Sequence, residues 1–460
     1  MKDLTHGSPI RLIAGFAISL LAANLMSQIY SLADSMMVGR LVSPDAIGAI
    51  SASSEILGLV NSLTGGLIGG CGIVLGRYFG GGNRAALRHC MANILYLVGV
   101  LSLVAVAVLL PIMHPLLIGT HTPHVLIPMA IDYSYIIVFS LPVAFFGNAL
   151  GSAFRSLGDS RTPLLTSLIG GAANVGFNAF FIIVLRLGIS GAALGTACSY
   201  ATSLLLNILF FFRRLPLLRV RRADAGWDFR ELGRLFFTGL PVGMQNSITS
   251  VSGLILQSAV NRQGVEAVTA FATSGKITGV TWTLIATLET TLIFYAAQNR
   301  GAGDLPRIRQ GVRQTSYLTF GMMAVLTLLV FLSGDRLFVP FVGEDPILLS
   351  IAGTYCRRQL MFFPFMVMLS MLRGAVQGMG YTFPAVACGV VELTSRFVVT
   401  RLAKTLDGLM FAGPAAWVFT TLFLTILYPV LLRHLRRHLA AEEAAKQHMG
   451  VSAEPCVARK

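Results

Sequence analysis

Long apolar runs alternate with short charged segments along the whole chain, and the charge-poor runs mark about twelve segments. A helix needs about 20 mostly apolar residues to cross the hydrocarbon core of a bilayer. A transmembrane β-barrel would instead show strands of about ten residues with alternating polarity. The pattern therefore predicts an all-α, polytopic membrane protein with about twelve transmembrane helices. The predicted spans are 10–38, 46–76, 90–113, 131–154, 163–185, 189–212, 232–261, 270–297, 312–333, 349–374, 383–402 and 409–432.

Composition and charge agree with a membrane protein. Hydrophobic residues make up 55% of the chain and charged residues 12%, and the mean hydropathy is +0.73. A soluble globular chain has about twice that charged fraction. The net charge of +15 does not indicate nucleic-acid binding, because the basic residues lie in short loops between apolar runs. The expected partners are the lipid bilayer and small molecules, with no nucleic acid. The six cysteines are scattered without CxxC spacing, which predicts neither a disulfide nor a metal site.

Arginine-rich loops alternate with loops that are poor in net positive charge. The arginines cluster in five segments: 77–88, 155–161, 213–222, 300–313 and 433–437. The loop 114–128, by contrast, holds no Lys or Arg. Cytoplasmic loops of membrane proteins carry the excess of Lys and Arg. We therefore expect a multi-pass protein of a bacterial cytoplasmic (inner) membrane with both termini in the cytoplasm.

The sequence repeats itself at an offset of about 221 residues, the difference between Gly301 and Gly80. Val38-Gly39-Arg40 returns as Val260-Asn261-Arg262, and Gly80-Gly81-Gly82-Asn83 returns as Gly301-Ala302-Gly303-Asp304. Six spans in each half make the two halves parallel repeats, an organisation found in secondary transporters. The predicted domains are an N-terminal six-helix lobe (1–212), a basic cytoplasmic linker (213–231), a C-terminal six-helix lobe (232–433) and a cytoplasmic tail (434–460).

One acid lies inside the first predicted span. No charge occurs from Leu12 to Ala33, so Asp34 follows a long apolar run. A carboxylate within a membrane helix is costly, and it commonly marks an ion or substrate pathway. The alternative is an interfacial acid that headgroup water reaches, because Arg40 follows only six residues later.

Two amides and a hydroxyl add to this acid in the same half. Asn174 and Asn178 are four residues apart in the fifth predicted span and share a helical face. Thr196 lies in the sixth span, within the small-residue segment 188–196. Hydrogen bonding between helices is the alternative role for such residues. Together, one carboxylate and three neutral oxygens suit a proton or a sodium ion and do not suit a soft metal.

These segments resemble the multidrug and toxic compound extrusion (MATE) transporters, in the DinF-like bacterial branch that carries an aspartate in its N-terminal lobe. The resemblance rests on Asp34 before Val38-Gly39-Arg40, on Asn174-x-x-x-Asn178, on Gly158-Asp159 before Pro163, and on Gly191-Ala192-Ala193-x-x-Thr196. It implies that Asp34, Asn174, Asn178 and Thr196 form a cation site that binds H⁺ or possible Na⁺, with no other cofactor. Some members carry an aspartate where Asn178 stands.

The second half has acids of its own. Glu289 lies centrally in the eighth span, and Glu392 lies in the eleventh. Arg396 follows Glu392 by four residues, which predicts a pair within one helix and leaves Glu392 with either a structural or a functional role. Another branch of the resembled family carries C-terminal acids near positions where this chain has Thr249 and Ser370.

Further residues are candidates for a central cleft or cavity. Glu55 and Lys276 occupy equivalent repeat positions in the second and eighth spans, where they could pair. Met and aromatic side chains could line an adaptable apolar pocket of the kind that promiscuous binders use. The residues considered for this pocket are Met244, Trp282, Met366 and Met368.

The sequence thus predicts a monomeric antiporter, not an enzyme, that exports amphipathic or cationic compounds in exchange for a proton or sodium ion. One alternative is a lipid-linked precursor flippase of the same superfamily, which would predict a strongly basic cavity. The other is a membrane-embedded enzyme, which would need a cluster such as an H-E-x-x-H metal motif.

Overall fold

The computed structural model describes residues 3–120, 122–221, 224–403 and 405–448. Within these residues the regular structure is helical, and no strand occurs. Ten of the helices are long and apolar enough to cross a membrane, and a bent helix pair adds one more candidate span. The prediction of an all-α, polytopic membrane protein is confirmed.

The helices follow the predicted order along the chain. They are α1 (Pro9–Leu41), α2 (Pro44–Gly80), α3 (Arg84–Gly119), α4 (Ile127–Ser156), α5 (Arg161–Ala179), α6 (Gly188–Arg214), α7 (Phe229–Asn261), α8 (Val265–Gly301), α9 (Leu305–Ser333), α10 (Val339–Val342), α11 (Pro346–Met361), α12 (Phe363–Gly378), α13 (Phe383–Leu402), α14 (Leu406–Leu409) and α15 (Ala412–His448). A π-helical turn, Phe180–Val184, extends α5. The predicted tail therefore begins as a continuation of α15, and its last residues, 449–460, lie outside the described residues.

The seventh and tenth predicted spans differ from ordinary apolar helices. Helix α7 has 33 residues, but it is not among the ten most clearly apolar helices because its middle is rich in Gln, Asn, Ser and Thr. The helix expected to run unbroken over 349–374 is broken, because α11 and α12 meet at a bend of 49°, while the two together remain one candidate span. Pro364 lies in the first turn of α12, and proline cannot donate the backbone hydrogen bond that would continue α11 through Phe362.

The described chain divides into two compact units. The first unit comprises residues 3, 14–75 and 84–247, and the second comprises 4–13, 76–83 and 248–448. The division falls inside α7. The lobe boundaries predicted from the sequence repeat stay a prediction.

Glycines allow α2 and α7 to approach closely within the first unit. A Cβ added at Gly66 would lie 2.5 Å from Gly243 Cα, and one added at Gly70 would meet Gly239 in the same way. Small residues at this spacing bring helix backbones together in membranes, where apolar burial alone gives little preference for helix contact over lipid contact. The polar stretch of α7 is thereby packed against α2 through backbone contacts.

The linker after α6 is attached to α3 within the first unit. Arg88 Nε donates to Asp224 Oδ2 at 2.6 Å, and Tyr96 Oη donates to the Ala225 carbonyl at 2.8 Å. Asp228 accepts hydrogen bonds from the backbone N–H groups of Arg230 and Glu231 at the start of α7. The hydrogen bond from Arg88 lowers the pKa of Asp224, and the backbone hydrogen bond from Arg230 lowers the pKa of Asp228.

Candidate functional site

The aspartate of the first span lies against an asparagine of α5. Asp34 is half-buried near the C-terminal end of α1, whereas Asn178 is fully buried. Asn178 Nδ2 donates a hydrogen bond to Asp34 Oδ1. The two residues are far apart in sequence, so this contact forms only when α1 and α5 pack together.

A chain of hydrogen bonds extends from this pair to α6. Asn178 Nδ2 also donates to Asn174 Oδ1 at 3.4 Å, and Asn174 Nδ2 donates to Thr196 Oγ1 at 3.4 Å. The Thr196 hydroxyl donates to the Ala192 carbonyl at 3.1 Å. The structure therefore brings together the four residues that the sequence singled out for one site.

One acceptor in this cluster has no partner. The Oδ1 atom of Asn178 is buried and accepts no hydrogen bond from the described residues. A buried acceptor without a donor is costly, and this oxygen packs against the backbone of Gly195 on α6. The donor set of a carboxylate, two amide oxygens and a hydroxyl fits the coupling cation that the sequence predicts.

Two glycines make room for the side chains of the site. A Cβ at Gly195 would overlap the Asn178 amide, so a bare backbone on α6 makes room for that side chain. A Cβ at Gly171 would likewise overlap the Tyr30 ring, whose hydroxyl donates to the Leu168 carbonyl at 3.1 Å. Tyr30 lies one turn before Asp34 and fixes α1 against α5. Sequence reasoning missed Tyr30, although the Gly170-Gly171 pair is a signal for a close ring contact.

The site opens into a cavity of the first unit. The cavity has a volume of about 680 Å³, and its lining includes Asp34, Asn174 and Thr196. This volume is typical of small-molecule sites. The other lining residues are mostly hydroxyl, amide and small side chains, and Asp34 and Arg155 are the two charged ones among the described lining. Arg155, one of the arginines of the predicted loops, lies in the last turn of α4 because that helix continues to Ser156.

The acids of the second half meet on an arginine of α12. Arg373 Nε lies 2.7 Å from Glu289 Oε1, and Arg373 Nη2 lies 2.9 Å from Glu289 Oε2. The third contact joins Arg373 Nη1 to Glu392 Oε1 at 3.1 Å. All three side chains are nearly buried, with exposures of 11%, 11% and 1% for Arg373, Glu289 and Glu392.

The expected pair of Glu392 with Arg396 is wrong. Arg396 Nη1 donates to Ser252 Oγ at 3.1 Å, whereas Glu392 binds Arg373. The planar guanidinium of Arg373 offers a fork to Glu289 and a further N–H to Glu392, a geometry that favours two carboxylates on one arginine. Sequence reasoning missed Arg373, although an arginine at the end of an apolar run in the half that holds two intramembrane acids is a signal for pairing.

The remaining candidates have separate surroundings. Lys276 Nζ lies 5.4 Å from the ring centroid of Phe341, and Glu55 is exposed on α2. The pairing of Glu55 with Lys276 stays a prediction. Met244 is exposed in the first-unit part of α7.

The second unit contains an aromatic cavity of about 440 Å³, lined in part by Trp282. The Trp282 ring packs against Trp417 with 5.9 Å between centroids. Met366, a candidate for the predicted apolar pocket, is instead buried in the packing of α12. The described lining of this cavity contains four aromatic residues and no methionine.

A helical membrane bundle with a small-molecule cavity, whose wall carries a carboxylate from inside a span, is an arrangement found in membrane transporters. The chain belongs to the MatE family of transporters, whose family model matches residues 20–180 and 241–402, one segment in each half. The family resemblance drawn from the sequence is confirmed.

Relatives and solved structures agree with this assignment. The chain is 27% identical over 341 residues to the probable multidrug resistance protein YoeA of Bacillus subtilis, which covers 72% of this chain and 73% of the relative. It is 25% identical over 292 residues to an FAD transporter of Shewanella oneidensis, which covers 62% of this chain and 63% of the relative. The crystal structure of MATE in the bent conformation superposes with a TM-score of 0.88 at 17% identity, over 95% of this chain and 98% of the other.

Proposed function

We propose that the protein is a cation-coupled antiporter that exports amphipathic or cationic compounds across a bacterial cytoplasmic membrane, with Asp34 as the coupling group. The observation that carries the proposal is the hydrogen-bonded cluster of Asp34, Asn178, Asn174 and Thr196 at the wall of a cavity. The name of the relative YoeA supports a role in drug efflux. We further propose that it acts as a monomer with both termini in the cytoplasm.

Coupling follows from the charge on Asp34. With Asp34 ionised, the Asn178 amide donates to the carboxylate and holds α5 against α1. A proton or a bound cation cancels the charge and weakens that hydrogen bond, because a charged acceptor forms the stronger bond. If two packings of the first unit differ in how well they hold the charged carboxylate, ion binding shifts the population between them. In the packing that opens to the outside, the compound is released. Release of the ion to the inside then restores the packing with a charged Asp34.

We favour the proton as the coupling ion. A sodium site needs several oxygens directed at one point. Here a single acid supplies the only negative charge of the set, and the other three side chains are neutral, which favours a proton over sodium. A proton needs chiefly a carboxylate in a partly desolvated place, which the half-buried Asp34 supplies. The mixed lining, with one acid and one arginine, supports efflux of varied compounds over a lipid-linked precursor flippase, which calls for a strongly basic cavity.

The test is transport of ethidium by purified protein in vesicles under separate proton and sodium gradients. Asp34→Asn keeps the size of the side chain and removes its charge, so gradient-driven ethidium movement should be lost while equilibrium ethidium binding remains. Asp45→Asn, an exposed acid in the first turn of α2, is the matched control and should transport normally. Full gradient-driven transport by Asp34→Asn would overturn the proposal for either ion.

A further inference from the structure

Four aromatic side chains lie in the wall of the second-unit cavity, beside glycines, threonines and Gln359. Phe271 and Tyr355 form one pair with 4.8 Å between ring centroids, and Trp282 and Trp417 form another at 5.9 Å. Its volume of about 440 Å³ is within the range of small-molecule sites. Rings in such arrangements accept a further planar ring by offset or edge-to-face contact. The wall therefore favours an aromatic ligand.

A buried arginine lies in the same wall. Arg396 is 6% exposed, and its Nη1 donates to Ser252 Oγ at 3.1 Å. Its Nε has no hydrogen-bond partner among the described residues. Arginine stays charged under all ordinary conditions, so the donor cannot be silenced by losing a proton. The acid one turn earlier, Glu392, contacts Arg373 at 3.1 Å rather than Arg396.

A second unpartnered donor lies in this wall. Trp417 is 2% exposed, and its indole Nε1 makes no hydrogen bond with the described residues. Indole N–H groups usually find an acceptor when they are buried. The described lining holds no Asp or Glu. Arg396 and Trp417 thus line the cavity, each has one buried donor without a partner among the described residues, and the described lining supplies no carboxylate.

We propose that this cavity binds aromatic organic anions, with Arg396 and Trp417 as hydrogen-bond donors to a carboxylate, sulfonate or phosphate group and the aromatic rings as the bed for the ring system. The proposal rests on the proposed transport function and names one class, aromatic anions, among its amphipathic substrates. A cavity walled by aromatic rings alone would attract cations through their faces. The positive charge of Arg396 opposes that preference and selects for anions.

Equilibrium binding tests the proposal with two ligands that share one ring system. Riboflavin and riboflavin 5′-phosphate differ by a phosphate, and stacking on tryptophan quenches the fluorescence of both. Purified protein in lipid nanodiscs should bind the phosphate form about tenfold more tightly than riboflavin, the factor expected for a hydrogen bond to a charged group. In Arg396→Gln this preference should disappear, while riboflavin affinity stays within about twofold.

Matched variants separate the binding role from folding. Arg401→Gln removes an exposed arginine from the same helix and should keep the preference. Arg396→Lys keeps the charge without the fork and should keep part of it, and Trp417→Phe keeps a ring without the N–H and should weaken the phosphate form severalfold. These two variants carry the test if Arg396→Gln does not fold.

Two results would overturn the inference: equal affinity for both flavins in the parent protein, or an Arg396→Gln variant that keeps the preference. Ethidium, a cation, gives a third test. If ethidium competes with the flavin phosphate and binds more tightly than it, and if this competition is lost in Trp417→Phe, the inference is overturned as well. Because no ion gradient is used, loss of this preference leaves the coupling role of Asp34 standing. Loss of coupled export in turn leaves the anion site standing.

Discussion

Asn178 on α5 donates a hydrogen bond to the carboxylate of Asp34 on α1, across 144 positions of the chain. The same amide group donates to Asn174 Oδ1 at 3.4 Å, while its own oxygen is buried and has no donor in the described part of the chain. Asn178 is therefore the residue through which a change of charge on Asp34 reaches the rest of α5. Variants around Asp34 should differ according to how they disturb this amide.

The neighbours of Asp34 decide which ion is coupled. For a proton, Asn174→Ala, Asn178→Ala and Thr196→Ala should each shift the pH dependence of transport and leave part of the activity. For sodium, each should weaken the sodium dependence, because each removes an oxygen ligand. The measurement is ethidium transport at a series of pH and sodium values, with Ser203→Ala as a cavity-lining control. Unchanged pH and sodium profiles in all three variants would argue that the cluster is architectural.

A methyl group at Gly195 should damage the site without removing any of its polar groups. Its Cβ would overlap the Asn178 amide, so Gly195→Ala forces that side chain away from Asp34. Overpacking of this kind costs about 1–3 kcal/mol of stability. Gly176→Ala on α5 is the control, because a Cβ there meets nothing within 4 Å. We expect impaired coupling and a lower thermal midpoint for Gly195→Ala alone. Equal transport by the two variants would contradict this.

The buried cluster of the second unit should be most sensitive to its arginine. Arg373→Leu leaves two carboxylates, Glu289 and Glu392, buried without their cation, and breaking such a pair costs about 3–5 kcal/mol. Removing the arginine together with Glu289 should be less harmful than removing the arginine alone.

Thermal unfolding in detergent measures both changes. The surface pair of Arg357 and Asp335, at 2.8 Å with exposures of 33% and 43%, is the control. Arg357→Leu should cost about 0–1 kcal/mol. A stability of Arg373→Leu equal to that of Arg357→Leu would show that the cluster does not hold its charges as the contacts indicate.

Much of this candidate site could be predicted from the sequence because its signals are local. The four-residue spacing of Asn174 and Asn178 fixes a common helical face from sequence alone, and an acid after a long uncharged run identifies Asp34. The same local rule failed for Glu392, because Glu392 binds Arg373 of another helix instead of Arg396 of its own helix. Contacts such as Tyr30 on Gly171 depend on how helices pack, which spacing along one chain does not encode.

The bend between α11 and α12 shows the same limit for the fold. Apolar length predicted one span over 349–374, because hydropathy averages over a proline that interrupts the backbone hydrogen bonds. The arginines also had two fates that composition does not separate. Arg155 lies in a cavity wall and Arg373 binds buried acids, whereas Arg88 of α3 binds Asp224 of the linker.

Acid should release the linker from α3 before it unfolds the helices. The hydrogen bond from Arg88 lowers the pKa of Asp224, and backbone hydrogen bonds lower the pKa of Asp228, both from an ordinary value of 3.8. A carboxyl group whose pKa is lowered by folding stabilises the folded arrangement above its ordinary pKa, and the stabilisation is lost as pH falls through the lowered value. The linker should therefore stay attached down to about pH 3.8 and detach below it.

Trp227 reports this step, because its ring lies 5.4 Å from that of Tyr96 on α3. In a variant with Trp282→Phe and Trp417→Phe, the Trp227 emission should move to longer wavelength with a midpoint below pH 3.8. Replacing both linker aspartates by asparagine removes the titrating groups, so this midpoint should vanish. Glu344→Gln, an exposed acid elsewhere, is the control and should keep it. A midpoint that persists in the double asparagine variant would assign the acid step to other carboxyl groups.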